Sequence, residues 1–241
     1  MVSKPSVYNP RVGERGEALT DLLIQNNYLS IHQPLFNITK GEHFTALNSI
    51  STNSKTIYIF TSQFAVQYFE LAKLNLDLSQ VTAIGIGKAS SQALANFGFA
   101  QVLTPTQAIS ESLIELCQQI EFDQAFLFKG EAGRDEIANA FKLAKKNLKT
   151  YNVYKRVWIS IPDTQLAKIK QADVFIITSG EIGLQLISLD NDLFGKLKST
   201  LCLVPSVRVK TQLEQLGLNN VTNINSANNQ TIITSLNQIY L

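Results

Sequence analysis

The apolar residues of this chain fall into short β-branched and aromatic runs that alternate with amphipathic stretches of helical length. Such alternation marks βα units that build a mostly parallel sheet, because each strand buries both faces while each helix buries one. The pattern predicts strands over 7–8, 30–32, 56–60, 81–86, 101–103, 125–129, 173–178, 201–204 and 220–222, the first of them truncated. It predicts helices over 14–26, 63–74, 89–97, 110–119, 134–146, 163–170, 181–189, 207–216 and 229–239. In the helix from 134, Ile137, Ala138, Phe141 and Ala144 share one face while the lysines fall mostly outside it. Gly98 and Gly217 each follow the last apolar helical position, where a left-handed C-cap costs a residue without Cβ little.

Two segments break this rhythm. Residues 35–39, after Pro34, and residues 150–158 both read as extended, and no helix follows either in the usual register. They bracket a self-sufficient βα block, as two connector strands would if the chain left one domain, built another and returned. The expected organisation is a discontinuous first lobe of 1–37 with 158–241, a second lobe of 42–150, and connector strands at 38–41 and 151–157 acting as a hinge. A weak internal repeat fits two lobes: Ile57-Tyr58-Ile59-Phe60-Thr61-Ser62 recurs in form as Val174-Phe175-Ile176-Ile177-Thr178-Ser179.

Composition narrows the class without changing the fold. With 241 residues, 45% hydrophobic, 17% charged, 12 Gly and 6 Pro, the chain is an ordinary globular sequence, and collagenous, disordered and coiled-coil readings fall away. The 21 basic and 19 acidic residues leave a net charge of +2, far from the cationic stripe of a nucleic-acid binder. Cys117 and Cys202 lack C-x-x-C spacing, so they are expected as buried small hydrophobes in a reducing compartment. No apolar run has the form of a signal peptide or the length of a membrane span, so a cytoplasmic protein without a membrane partner is expected.

In a parallel sheet, ligands bind beyond the carboxyl ends of the strands, where helix N-termini aim unpaired N–H groups outward. Thr61-Ser62 and Thr178-Ser179 sit at such edges, either as carboxylate or phosphate contacts or as helix N-caps. The string Gly85-Ile86-Gly87-Lys88-Ala89-Ser90 fails as a P-loop, because Ala89 follows Lys88 where Ser or Thr is needed for magnesium. It fails as a dinucleotide loop too, with Ser90 in place of the third Gly, which leaves an anion cradle or a tight turn. The loop Lys129-Gly130-Glu131-Ala132-Gly133-Arg134-Asp135 sets two glycines between two cations, which suits a carboxylate site or a solvated loop with a Lys129/Asp135 or Glu131/Arg134 pair. His32 and His43 have no companions at metal-ligand spacing, and no Ser/His/Asp or Cys/His set is present. Tyr154 lies on the second connector, either as a phenol facing the gap between lobes or as a core aromatic.

In order and spacing, these strings resemble the uroporphyrinogen-III synthase family over nearly the whole chain. The resemblance rests on Asn9-Pro10-Arg11 with Gln33-Pro34-Leu35, then Thr61-Ser62 with Ala65-Val66, then Gly87-Lys88-Ala89-Ser90 with Ala93-Leu94 and Gly98. Ser110 with Leu113, Lys129-Gly130-Glu131 with Gly133-Arg134, Val153-Tyr154-Lys155-Arg156, Ile177-Thr178-Ser179 and Pro205-Ser206-Val207-Arg208 follow in family order. Ser90 stands where the family usually has Thr, and Lys129 where Arg is common.

The resemblance implies an α/β protein of two flavodoxin- or Rossmann-like lobes with parallel sheets, joined by a two-stranded β-ladder hinge. It implies a monomeric cytoplasmic lyase of tetrapyrrole and heme biosynthesis that needs no cofactor or metal. The implied substrate, held in the cleft between the lobes, is hydroxymethylbilane, a linear tetrapyrrole with carboxylate side chains. The enzyme would remove water, invert ring D and close uroporphyrinogen III. Carried onto this chain, Tyr154 is the expected proton donor, and Arg11, Thr61, Ser62, Gly87, Lys88, Ser90, Lys129, Gly130, Arg134, Thr178, Ser179 and Arg208 are expected to bind substrate. The other reading is a non-catalytic two-lobe binding protein for a small anionic ligand, which would leave the ratio of uroporphyrinogen isomers unchanged.

Overall fold

Strands that bury both faces dictate the architecture. The chain starts with β1 (Ser6–Asn9), α1 (Glu14–Gln25), β2 (Leu29–His32) and β3 (Phe36–Lys40). It continues through a 3₁₀ turn (Thr45–Ser49), β4 (Thr56–Phe60), α2 (Gln63–Leu71), β5 (Thr82–Gly85), α3 (Lys88–Phe97), β6 (Gln101–Leu103) and α4 (Ser110–Gln118). Next come β7 (Gln124–Gly130), α5 (Glu136–Leu143), β8 (Leu148–Trp158), α6 (Asp163–Lys170), β9 (Val174–Ile176), α7 (Gly180–Leu189) and α8 (Asn191–Leu197). The last elements are β10 (Leu201–Val204), α9 (Val207–Gln215), β11 (Val221–Asn223) and α10 (Asn229–Tyr240). This computed structural model describes residues 4–51, 55–107, 109–133 and 135–240. It divides into two compact units, one of Met1–Asn37 with Trp158–Leu241 and one of Ile38–Val157.

In the first unit the strand order is β11-β10-β9-β1-β2, all parallel, which counted within the unit is the flavodoxin-like order 2-1-3-4-5. One face packs Val7, Val174, Ile176 and Leu203 against Leu19 and Leu23 of α1 and Ile232, Ile233 and Leu236 of α10. On the other side α7 and α9 meet closely, since a Cβ on Gly183 would lie 2.4 Å from Leu213 Cδ2. The opening strand is tied to the far segment by Asp173, whose Oδ2 accepts hydrogen bonds from Ser6 N at 2.8 Å and Ser6 Oγ at 2.7 Å.

The second sheet has the order β3-β8-β7-β4-β5-β6. From β8 to β6 the strands are parallel, and counting β4 to β8 as 1 to 5 gives the Rossmann-like 3-2-1-4-5. β3 runs against β8, because Leu35 O accepts from Ile159 N and Val153 O accepts from Gly41 N. Alternation along the strands sorts the two faces. Tyr58, Phe60, Phe126 and Phe128 face one way, with Val66 and Phe69 of α2 and Leu94 of α3. Ile57, Ile59, Ala125 and Leu127 face the other, with Leu113 and Cys117 of α4 and Ile137 and Phe141 of α5. The first of these cores is mainly aromatic: Tyr58 lies 5.4 Å from both Phe126 and Phe128, and Phe60 stacks on Phe128 at 4.6 Å. Tyr151 stacks on Phe128 at 5.7 Å, yet its buried hydroxyl has no hydrogen-bond partner among the described residues.

Several elements differ from the sequence expectation. The predicted nine helices omit α8, which hides behind Asn191-Asp192 and the mid-helix Gly195; Asp190 Oδ1 caps it at Leu193 N, 2.9 Å away, and Leu193 and Leu197 are buried. The helix expected over 134–146 is shorter, Glu136–Leu143, because the chain turns left-handed at Lys145 (φ 52°), and Ala144 is exposed rather than on the packed face. α2 stops at Leu71, with Lys73 left-handed (φ 50°), short of the predicted end at 74. The 3₁₀ turn at Thr45–Ser49 has no counterpart in the pattern.

Two outcomes follow from this packing. The Asp173 carboxyl is held below the usual carboxylate range by the Ser6 N–H and O–H, with Lys196 adding to them. A depressed folded value stabilises above the ordinary carboxylate range near pH 4 and is lost as pH falls through the lowered value. Asp173→Ala should therefore cost about 1 kcal/mol at neutral pH after solvent screening, with the difference from the parent closing in acid melts. Tyr151→Phe removes an unpaired buried hydroxyl without changing ring volume, and urea denaturation should show a gain of about 1 kcal/mol.

Candidate functional site

β4 lies between β5 and β7, so the connections on its two sides leave in opposite directions and a crevice opens beyond its carboxyl end. A cavity of about 460 Å³ occupies that place. Thr61, Ile86 and Lys129 line it from the strand ends, and Ser110 and Glu111 of α4 and Glu136 of α5 line it from helix N-termini. Its size lies within the range of small-molecule sites. Among the described residues that line it Lys129 is the cation: its side chain is 5% exposed, and its Nζ lies 2.6 Å from Oδ1 of Asp135, whose side chain is 74% exposed. A buried ammonium paired with an exposed carboxylate is suited to exchanging that partner for a ligand carboxylate. Glu111 and Glu136 also line the cavity.

The second feature follows from a β-bulge. β7 and β8 pair in register up to Lys129↔Asn152, after which Gly130 pairs with Tyr154 and Val153 is left over. The slip lays Tyr154 across Gly130, where a Cβ would lie 2.6 Å from Tyr154 Cζ. The ring is 7% exposed and packs beside Phe64 at 5.7 Å and Tyr68 at 6.1 Å. Its oxygen accepts a hydrogen bond from Ser62 Oγ at 3.0 Å, and Ser62 Oγ accepts one from Ala65 N at 3.1 Å. Tyr154 also lines a cavity of about 70 Å³ with Gly130, Glu131, Ala132, Gly133 and Arg156. Gly133 borders this cavity and the larger one. The turn between them is pinned by Glu131 N to Tyr154 O at 3.0 Å and by Glu42 N to Glu131 Oε1 at 2.8 Å. His43, on the same loop as Glu42, accepts Asn152 N–H at Nδ1, 3.1 Å away, and so serves as a ladder partner.

The structure brings Thr61, Ser62, Lys129, Gly130 and Tyr154 together at this edge. Ser62 and Ser179 both cap the helices that follow them, with nearly identical backbone angles (φ −162°, ψ 163° and φ −159°, ψ 162°). Gly87 is the N-cap of α3, Lys88 is the exposed first residue, and Ser90 is buried. Directly after that string, Ser91 Oγ donates to Gly85 O at 3.2 Å, and a Cβ on Gly85 would lie 2.5 Å from Ser91 N. In the first unit, Thr178 borders a cleft with no room for a water-sized molecule. Arg11 is buried, its two terminal nitrogens donating to Asn229 Oδ1 at 2.9 Å and to the Ala227 carbonyl while its Nε has no partner among the described residues; burial, with Arg15 beside it, brings its pKa down to about 10. Arg208 is exposed on α9, and Arg134 lies outside the described residues. Cys117 and Cys202 are buried, which pushes both thiols up to about 12. Sequence reasoning missed Glu111 and Glu136, whose signal is a Glu in the first turn of a helix that follows a strand, and named Ile86 and Arg156 only within longer strings. Among the described residues no helix is long and apolar enough to cross a membrane, and no group of three or more His, Cys, Asp or Glu side chains is placed to hold a metal.

The family model for Uroporphyrinogen-III synthase HemD matches residues 17–231. The chain belongs to the uroporphyrinogen-III synthase family. A uroporphyrinogen-III synthase from Proteus mirabilis is 28% identical over 178 residues, which is 70% of this chain and 89% of that protein. Among solved structures, uroporphyrinogen-III synthetase from Helicobacter pylori aligns with a TM-score of 0.65 at 11% identity, covering 99% of this chain and 100% of that one. A mutant uroporphyrinogen III synthase from Thermus thermophilus aligns with a TM-score of 0.61 at 15% identity, covering 98% of this chain and 97% of that one. At these identities the structural likeness establishes the two-domain α/β fold that the family resemblance implies. Within this member of the family, Gly130→Ala should force the Tyr154 ring off its seat at a cost of about 1–3 kcal/mol. A double-mutant cycle with Tyr154→Ala should recover most of that loss by urea denaturation, whereas additive losses would show that the ring is not what Gly130 accommodates.

Proposed function

We propose that this chain is a uroporphyrinogen-III synthase that closes hydroxymethylbilane into uroporphyrinogen III. The observation that carries the reading is the family match over residues 17–231, and the buried Lys129 ammonium in a cavity of about 460 Å³ supports it as a place for one carboxylated arm of the substrate. Thr61 and the amides of the flanking helix N-termini add neutral donors there. Thr178 and Ser179 of the first unit, and Arg208, remain in the proposal as outer carboxylate contacts. On sequence grounds the reading includes a cytoplasmic monomer that takes no nucleic acid.

The chemistry requires little acid–base power and much positioning. The pyrrole nitrogen lone pair drives the hydroxymethyl C–O bond apart, and the hydroxyl leaves as water with a proton from Tyr154. The azafulvene carbon is then attacked by the substituted carbon of ring D to give a spiro centre. Cleavage of that centre and closure at the other ring D carbon invert the ring, and the proton released on closure restores the phenol. Because the azafulvene can also close without inversion, the protein acts chiefly by holding the chain in the conformation that favours spiro attack.

Two measurements test this. Purified protein given hydroxymethylbilane should raise the ratio of uroporphyrinogen III to isomer I, whereas a binding protein would leave it unchanged. Tyr154→Phe should lower kcat by about ten- to a thousand-fold at matched stability, more than any single Ser or Thr substitution at the strand ends. An unaltered rate and isomer ratio would leave Tyr154 as a packing residue.

A further inference from the structure

Ser62 stands in two hydrogen bonds whose directions are linked. A backbone N–H can only donate, so the Ala65 amide occupies a lone pair of Ser62 Oγ at 3.1 Å. Among the described residues the serine hydroxyl donates in turn to the Tyr154 hydroxyl, 3.0 Å away. The phenol oxygen therefore accepts, and its own proton is left to point elsewhere. The ring is wedged over Gly130 and beside Phe64 and Tyr68, so the oxygen cannot swing away from Ser62. Away from Ser62 the hydroxyl lies 3.0 Å from where a Cβ on Gly130 would stand, and Gly130 and Tyr154 together line the cavity of about 70 Å³.

We infer that Ser62 is a positioning residue for the reaction, and that its task is to orient the Tyr154 proton towards the cavity rather than to bind substrate carboxylate. This rests on the reading of Tyr154 as the proton donor. Linked donors polarise one another in sequence, from the Ala65 amide through the serine to the phenol. As the phenol gives up its proton, the charge that develops on its oxygen lies at the N-terminus of α2, where the helix field favours it. Without the serine proton the phenol can turn its own proton inward, and the donor is lost to the substrate.

The N-cap role and the orienting role separate by substitution. Glycine is nearly as good an N-cap as serine but has no hydroxyl, while threonine keeps both the cap and the donor. With the full chain and hydroxymethylbilane, Ser62→Gly should lower kcat about tenfold with KM nearly unchanged, and Ser62→Thr should restore most of the rate. In a Tyr154→Phe background the Ser62→Gly change should have no further effect on kcat. If Ser62→Gly lowers kcat equally in both backgrounds, or raises KM alone, Ser62 is a helix cap or a substrate contact and the inference is wrong. If Tyr154→Phe itself leaves kcat unchanged, the donor reading fails first and this inference falls with it. Melting curves for each variant identify any loss that comes from unfolding, and Ser62→Thr tests the inference should the glycine variant not fold.

Discussion

The ring of Tyr154 takes the space that a side chain at residue 130 would fill, and the geometry of the candidate site depends on that seat. A regular β7–β8 ladder would pair Gly130 with Val153, whereas the observed bulge skips Val153 and brings Tyr154 over the glycine. Val153 is fully buried, so the slip leaves the aromatic core intact while moving the next side chain to the sheet edge. The phenol oxygen then lands beside the first residue of the α2 turn, and the ladder ends where the 130–133 turn begins. That turn carries Gly133 between the two cavities. A missing Cβ thus fixes the place of a phenol and the wall between a small space and a large one.

The two units use the same device at different settings. Each has a mostly parallel sheet with a serine capping the helix after a central strand, and the caps on α2 and α7 have matching backbone angles. In the second unit the crevice beside that cap is open and lined by Lys129. In the first, Arg11 folds inward and its guanidinium is engaged by Ala227 and Asn229, the start of α10. A buried guanidinium without acceptors would be costly, so these contacts hold the start of α10 to the β1–α1 turn.

Legibility in the sequence followed the range of the interactions involved. Strands and helices are local, and β4, β6, β10 and α6 match their expected bounds; the order of family motifs likewise exposed the fold and the family. The helix α8 was obscured because Asn, Asp and Gly speak for a loop locally, while Leu193 and Leu197 find their partners in the tertiary core. For Arg11 the acceptors lie 216 and 218 residues away, so no local pattern could reveal those contacts. Lys129 and Thr61 were legible as residues at strand ends and Tyr154 as a residue of the second connector, but the bulge that sets Tyr154 on Gly130 is a one-residue change of register. Periodicity cannot register it, because Val153 and Tyr154 are both apolar enough to be core.

The linkage of Ser6 to Asp173 across 167 residues sets a schedule for synthesis as well as a contact. The strand that β1 needs as its second neighbour, β9, leaves the ribosome on the order of 10–30 s after β1 does at ordinary elongation rates. The intervening unit is contiguous, so all six strands of its sheet are present before β9 exists. For that interval Val7, Leu19 and Leu23 have β2 but neither β9 nor α10 to cover them, which makes the N-terminal βαβ segment the part of the nascent chain most exposed to chaperones and to misassembly.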